Sequence, residues 1–255
     1  MELVISFIVS VFSTTIGAIT GLGGGLIIKP LLTTITEFSL EQISFLSAVT
    51  VFFMAALVTI KNVKKGSNPF SEGTVFLAIG SIMGGLVGTN IFYLLVLNLN
   101  NNDVVESIQA FLIILMLIFV LVVNAVNLNL SFKKNIFNLV VFGIFMGLIA
   151  SFLGIGGGPI NMVILMICFS YDIKQAAVKS AVTILFAQMM SLLLMYINTG
   201  FEGINIYSAL AMIIGACIGA NAGINILRNL SVNKARMLFN TAVICIIILN
   251  SYIIF

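Results

Sequence analysis

The sequence predicts an all-α polytopic membrane protein made of two inverted repeats, residues 1–128 and 129–255. Each repeat reads as a broken, re-entrant helical hairpin followed by three transmembrane helices. Three observations carry this. Apolar runs of about 20 residues recur along the chain. One glycine-rich oddity occurs twice, 133 residues apart. The basic residues fall on connections whose pattern turns the second half upside down.

The composition suits a bilayer: 61% of the 255 residues are hydrophobic and 7% are charged. A soluble domain carries about 25% charged residues, so this chain cannot clothe a water-facing surface. A net charge of +3, scattered along the chain, excludes a nucleic-acid partner. Cys168, Cys217 and Cys245 lie in apolar runs and read as packing residues. With no histidine, the usual metal ligand and proton shuttle are missing, and no metal or cofactor is expected. Met1-Glu2-Leu3 has no basic region, so no cleaved signal peptide is expected.

The first half holds apolar pieces at 3–20, 25–36, 42–60, 73–97 and 104–127. The second holds them at 136–153, 159–170, 175–197, 203–227 and 235–254. They are read as helices, because unpaired strands are not viable in lipid. A shift of 133 lays Gly21, Gly23, Gly24 and Gly25 on Gly154, Gly156, Gly157 and Gly158, and lays the SAVT of Ser47–Thr50 on that of Ser180–Thr183. With a two-residue slip, Gly84, Gly88 and Asn90 fall on Gly215, Gly219 and Asn221. The second piece of each half is too short for a crossing, which takes about 20 residues.

Basic connections hold Lys61, Lys64 and Lys65; Lys133 and Lys134; Lys174 and Lys179; and Arg228, Lys234 and Arg236. Acidic ones hold Glu2; Glu37 and Glu41; Asp103 and Glu106; and Glu202. If basic connections are cytoplasmic, residues 3–36 enter from outside and return, three crossings follow, and 136–170 do the same from inside. That path is an inverted repeat, an architecture shared by many secondary transporters. A plain eight-crossing chain is the alternative, and it would strand Lys61–Lys65 outside.

The glycines fall where the chain reverses at membrane depth. Reversal needs positive φ and close backbone approach, which glycine permits. A short helix then begins with unpaired amides and the positive end of its dipole. Pro159 suits the first turn of the second one. Two such tips meeting near the midplane would make an anion site. The alternative is close helix packing, which is preferred for Gly84–Gly88 and Gly215–Gly219. GLGGG fits neither a dinucleotide fingerprint nor a phosphate loop.

GLGGGLIIKPLL (Gly21–Leu32) and GIGGGPINMVIL (Gly154–Leu165) resemble the paired motifs of the sulfite exporter TauE/SafE family. AVKSAVTILFAQMMS, from Ala177, resembles its small-residue and hydroxyl stretch. The resemblance spans nearly the whole chain. It implies transport of small, often sulfur-containing anions across the plasma (inner) membrane. Lys29, Lys179 and Val163 depart from the family pattern, at usually apolar, small and proline positions respectively.

The candidate substrate-binding residues are the eight tip glycines (Gly21, Gly23, Gly24, Gly25, Gly154, Gly156, Gly157, Gly158), Lys29, Ser47, Thr50, Asn161, Ser180, Thr183 and Gln188. Lys29 lies about 12 Å inward from Glu37 at helical rise, and its lean is toward the tip. An intramembrane lysine is a functional candidate. Lys179 leans back to the cytoplasm and is expected to snorkel. Ser47, Thr50, Ser180 and Thr183 either donate to an anion or bond a preceding helix carbonyl. Asn90 and Asn221 are expected to bond between helices. No carboxylate is expected along the pathway, so an enzyme is excluded and anion movement is expected to follow the membrane potential. The function expected is secondary transport of a small anion, with net export. An anion channel and a non-transport scaffold or assembly protein are the alternatives. The partners expected are the anion and the lipid bilayer, with homodimer formation left open.

Overall fold

A computed structural model describes residues 2–66, 68–70, 73–99, 101–126, 130, 132–200 and 204–254. Glu72 and Glu202 lie outside the described residues. Among these, all regular structure is helical: α1 (Glu2–Thr20), α2 (Gly25–Ile35), α3 (Leu40–Lys64), α4 (Thr74–Leu99), α5 (Asn102–Val126), α6 (Ile136–Phe152), α7 (Gly158–Val163), α8 (Ile173–Thr199), α9 (Ile206–Asn229) and α10 (Val232–Ile254). α7 runs on into a π-helical turn, Ile164–Cys168. Among the described residues, seven helices are long and apolar enough to cross a membrane, and α2, α6 and α7 with its π turn are shorter. The chain is an all-helical, multi-pass membrane protein.

Local chemistry sets the ends. Ser39 caps α3 in a reciprocal box with Gln42, and Lys61 and Lys64 stand in its last turn, favourable to the dipole. Asp172 accepts from the amides of Lys174 and Gln175 to start α8. Asn135 and Asn205 cap α6 and α9. Gly24 and Gly157, both left-handed, stand immediately before α2 and α7. Each short helix is irregular one turn in, but by different means. α2 carries Pro30 inside it. Half two has Val163 at the matching position, and there the helix widens to a π turn.

The packing exchanges the halves. α1 packs on α9 and its counterpart α6 on α4; α3 packs on α9 and α8 on α4; α2 packs on α10 and α7 on α5. α3 and α8 also pack on one another, as do α5 and α10. Small residues let the closest pairs approach. A Cβ on Gly84 or Gly88 would strike the Ile144 or Leu148 carbonyl of α6, and one on Gly215 or Gly219 would strike Ser10 or Thr14 of α1. The packing reading of these four glycines holds. α3 and α8 run in opposite directions: Val58, Asn62 and Lys65 at the end of α3 share a cavity with Lys174, Ala177 and Val178 at the start of α8. The exchange is incomplete on the α5 side. α10 packs on α1, whereas α5 stands off α6 across an apolar cavity of about 850 Å3.

Candidate functional site

Both glycine tips lie in the core and overlap one another. Gly21, Gly23 and Gly24 have φ of 74°, 86° and 75°, and Gly154, Gly156 and Gly157 have 62°, 81° and 63°. The backbones are in contact. A Cβ on Gly25 would sit 2.6 Å from the Ile155 carbonyl oxygen, and one on Gly158 would strike the Leu22 carbonyl. A Cβ on Gly23 would lie 3.8 Å from the Cα of Gly156. Each tip reaches past the other, since Gly21 lies against Ala177 near the start of α8 and Gly154 against Lys29 of α2. Among the described residues, the amides of Gly23, Gly24, Gly25, Gly157 and Gly158 have no hydrogen-bond acceptor. They are the donors that the two chain reversals leave unpaired in the core.

The SAVT serines do not follow the local alternative of bonding a preceding carbonyl of their own helix. Ser47 donates to the carbonyl of Gly154 at 3.0 Å, and Ser180 donates to the carbonyl of Gly21 at 3.2 Å. Each thus ties the first glycine of the opposite half's tip. The threonines follow the local alternative. Thr50 donates to Leu46 O at 2.6 Å and Thr183 to Ser180 O at 2.8 Å, so neither hydroxyl proton is free for an anion. Asn161 donates to Thr183 at 3.1 Å, and its carbonyl oxygen is buried without a partner. Gln188 is 0% exposed with neither amide atom paired. Asn161 and Gln188 therefore hold unused hydrogen-bonding capacity in the core.

Lys29 is 6% exposed, and its ammonium donates to Gln109 Oε1 at 3.0 Å. Gln109 in turn donates to the Phe152 carbonyl at 2.7 Å, at the end of α6. The Lys29 ammonium and the unpaired Ser44 hydroxyl both lie within 4 Å of where a Cβ on Gly154 would stand. The lysine leans toward glycine backbone, as its helical direction requires. The tip it meets is that of the other half.

Ser44, Gln109 and Glu106 escaped the sequence reading. The signal for the last two was an acid and an amide three residues apart on an otherwise apolar helix, which places both on one face. α5 begins at Asn102 rather than 104, so Glu106 falls in its second turn. It is half-buried there, and it shares a cavity of about 20 Å3 with Lys29, Thr33, Gln109 and Asn250. That volume holds about one water molecule. A carboxylate therefore does stand beside the candidate ligand Lys29, contrary to expectation.

Two further expectations are corrected. Lys179 does not reach water by snorkelling: it is 6% exposed, with its ammonium 3.1 Å from Thr74 Oγ1 and 4.6 Å from the centre of the Tyr171 ring. Thr74 and Tyr171 supply the polar contacts it would otherwise seek in solvent. Asn90 does not bridge helices but donates to Leu86 O of its own helix, because its side chain is on an exposed face. Asn221 does bridge, accepting from Lys61 of α3.

Comparison with known proteins places these features in one family. A model of the family described as sulfite exporter TauE/SafE matches residues 6–249. The chain is 24% identical over 270 residues to a probable membrane transporter protein, YunE, of Bacillus subtilis (strain 168), with 96% of each chain covered. No solved structure matches. A match that runs from the first apolar helix to the last, through both glycine tips, makes the chain a member of the sulfite exporter TauE/SafE family of membrane transporters.

Proposed function

We propose that this protein is a secondary transporter of small anions, sulfur-containing oxyanions such as sulfite, sulfonates or thiosulfate, working in net export across the plasma membrane. The observation that carries the reading is the crossing of the two glycine tips, with five glycine amides at the point of contact that find no acceptor among the described residues. Unpaired amides at helix starts attract negative charge. Lys29 adds a buried cation against the same backbone, and Asn161 and Gln188 add unspent polar atoms. Family membership supports the transport role, and the family's description as sulfite exporters supports sulfite as the first anion to try.

In this reading the halves 1–128 and 129–255 are inverted across the membrane. The opposed directions of α3 and α8 and the exchanged packing of the halves support it. Alternating access would be a rocking of one hairpin against the other about the crossing. Ser47 and Ser180 would keep each tip registered on its neighbour while the approach from either end opens.

The test is flux of radiolabelled sulfite, thiosulfate, methanesulfonate, sulfoacetate and small carboxylates from reconstituted vesicles, with the potential clamped by potassium and valinomycin. A potential of 100 mV contributes about 2.3 kcal/mol per charge. For a monovalent anion that is a roughly fifty-fold bias toward export. Anion flux that Gly157→Leu abolishes, in a protein still folded, supports the reading. Flux of no anion in the panel, or full activity in that variant, refutes it.

A further inference from the structure

Next to the first tip lies a cavity of about 200 Å3, at the end of the bundle where α3 and α9 finish and α8 begins. Its rim holds Lys65, Lys174 and Arg228 along with Asn62, and Ala18 and Ala177 are also in its wall. Those two alanines point to where it leads. Ala18 stands three residues before Gly21, and the Cα of Ala177 would lie 2.9 Å from a Cβ on Gly21. The cavity thus abuts the backbone of the tip. It has several times the roughly 30 Å3 that one water molecule occupies in the liquid, enough for a small oxyanion.

The cations at the rim are under-used. Lys174 donates to the Arg228 carbonyl at 3.4 Å, and the Lys65 ammonium and Arg228 guanidinium have no partner among the described residues. Among the described residues the nearby acid, Asp172, is occupied in capping α8. Like charges gathered round a cavity with low-dielectric walls repel each other and focus their field into it. The repeat makes the gathering informative. Lys65, Lys174 and Arg228 correspond to Asn198, Glu41 and Leu97 of the opposite half. The three matching positions at the other end of the bundle therefore carry no cation, and the cation that stands beside the Gly154 tip is Lys29 of α2. A rule that puts basic residues in cytoplasmic connections explains their sidedness, but not their convergence on one cavity that ends at the tip.

We propose that this cavity is the cytoplasmic entry vestibule for the transported anion, with Lys65, Lys174 and Arg228 collecting a small oxyanion and delivering it to the Gly21 tip. The inference rests on the transporter reading and adds to it a place of loading. It also gives the protein an electrical polarity, because three rim cations gather at one mouth and the matching rim positions of the other hold none.

The same cations suit the phosphate of a lipid headgroup, so the test separates the two sources. In a background lacking Cys168, Cys217 and Cys245, Val178→Cys places a thiol in the cavity wall, and Leu227→Cys is the second position should the first fail to fold. Asn101→Cys, exposed at the other end, is the control. In nanodiscs, where both faces are accessible, each is reacted with methanethiosulfonate reagents bearing a sulfonate or a trimethylammonium group. The sulfonate reagent should be favoured at the cavity over the control by about ten-fold, within the range of electrostatic steering. The preference should collapse at ~1 M salt, where the Debye length is about 3 Å. It should also collapse in the Lys65→Gln/Lys174→Gln/Arg228→Gln protein, whose KM for export should rise while kcat holds. Equal preference at cavity and control, or a preference that survives neutralisation, overturns the proposal. So does reactivity seen only in phosphatidylcholine discs and lost with phosphatidylglycerol, which assigns the cations to headgroups. Failure of the transporter reading looks different: steering persists while no anion moves in the wild-type protein.

Discussion

Substituting Gly25 by alanine separates the contact at the tips from the backbone strain beside it. Gly25 begins α2, and its φ is not positive, so alanine meets no conformational penalty there. In an open helix the change would stabilise by up to about 1 kcal/mol. Here the new Cβ falls 2.6 Å from the Ile155 carbonyl oxygen and 2.8 Å from its carbonyl carbon and Cα, all backbone atoms. Overpacking of this kind costs about 1–3 kcal/mol, so the sign reverses and a net loss of roughly 1–2 kcal/mol is expected. Two companions calibrate it. Gly66, with φ of 78° and nothing within 4 Å, tests conformation alone. Alanine there costs ~1–2 kcal/mol for the left-handed backbone, partly offset through the unfolded chain. Gly157, with φ of 63° and Ala150 Cβ 2.7 Å away, combines both penalties and should lose roughly 2–4 kcal/mol. The protein has no tryptophan, but Cys168 is buried. A thiol-reactive dye on a variant lacking Cys217 and Cys245 therefore reports unfolding in detergent. At about 2–4 °C per kcal/mol, Gly25→Ala should lower the midpoint by roughly 2–8 °C. A midpoint at or above wild type would mean the backbones are not in contact, and the crossing would lose its physical basis.

Lys29→Met copies Met162, the residue at the matching position, so the variant should fold while apparent anion affinity falls; an unchanged affinity in flux assays rejects Lys29 as a ligand. Gln188→Leu removes a buried amide with no partner. It should leave thermal stability unchanged or raise it by up to about 1–3 kcal/mol while slowing transport, and unimpaired transport would make Gln188 mere filler. Ser47→Ala should cost about 1 kcal/mol for the lost bond to Gly154, and Ser180→Ala the same. Unfolding midpoints of the double variant should be non-additive, because the tips the two serines hold are in contact. With single cysteines in a cysteine-free protein, impermeant reagents should label position 68 only from the cytoplasm, and positions 38 and 101 only from outside. Cytoplasmic labelling at 38 would end the hairpin topology.

Much of the fold could be read from residue pattern because each signal was local and physical. Apolar length marked the helices, and the two short pieces, 25–36 and 159–170, stood out because a crossing takes about 20 residues. Gly21–Gly25 and Gly154–Gly158 announced reversal because only glycine takes those angles readily. The partnering of the tips was not legible. That Ser47 bonds Gly154 and Ser180 bonds Gly21 depends on a crossing between residues more than a hundred positions apart, and the repeat gave equivalence without contact. Glu106 was misjudged for a smaller reason. Two residues more of α5 turned an acid taken for a boundary marker into a neighbour of Lys29. Lys179 was misjudged because its side-chain direction was reckoned without Thr74 and Tyr171, which reach it from elsewhere in the chain.

The exchanged serine bonds have a consequence for how the molecule is made. When the ribosome has released residues 1–128, the Gly21 carbonyl has not yet met Ser180, and the Gly25 backbone has not yet met Ile155. A lone first half would hold the Gly21 carbonyl in hydrocarbon without that bond, at several kcal/mol for an unsatisfied group. Its hairpin gains that bond only when the second half, which carries Ser180, has been made. The two halves made as separate polypeptides should accordingly be unstable alone and rescued by co-expression. Translation then delivers the parts in sequence, but the centre of the protein closes in a single late event.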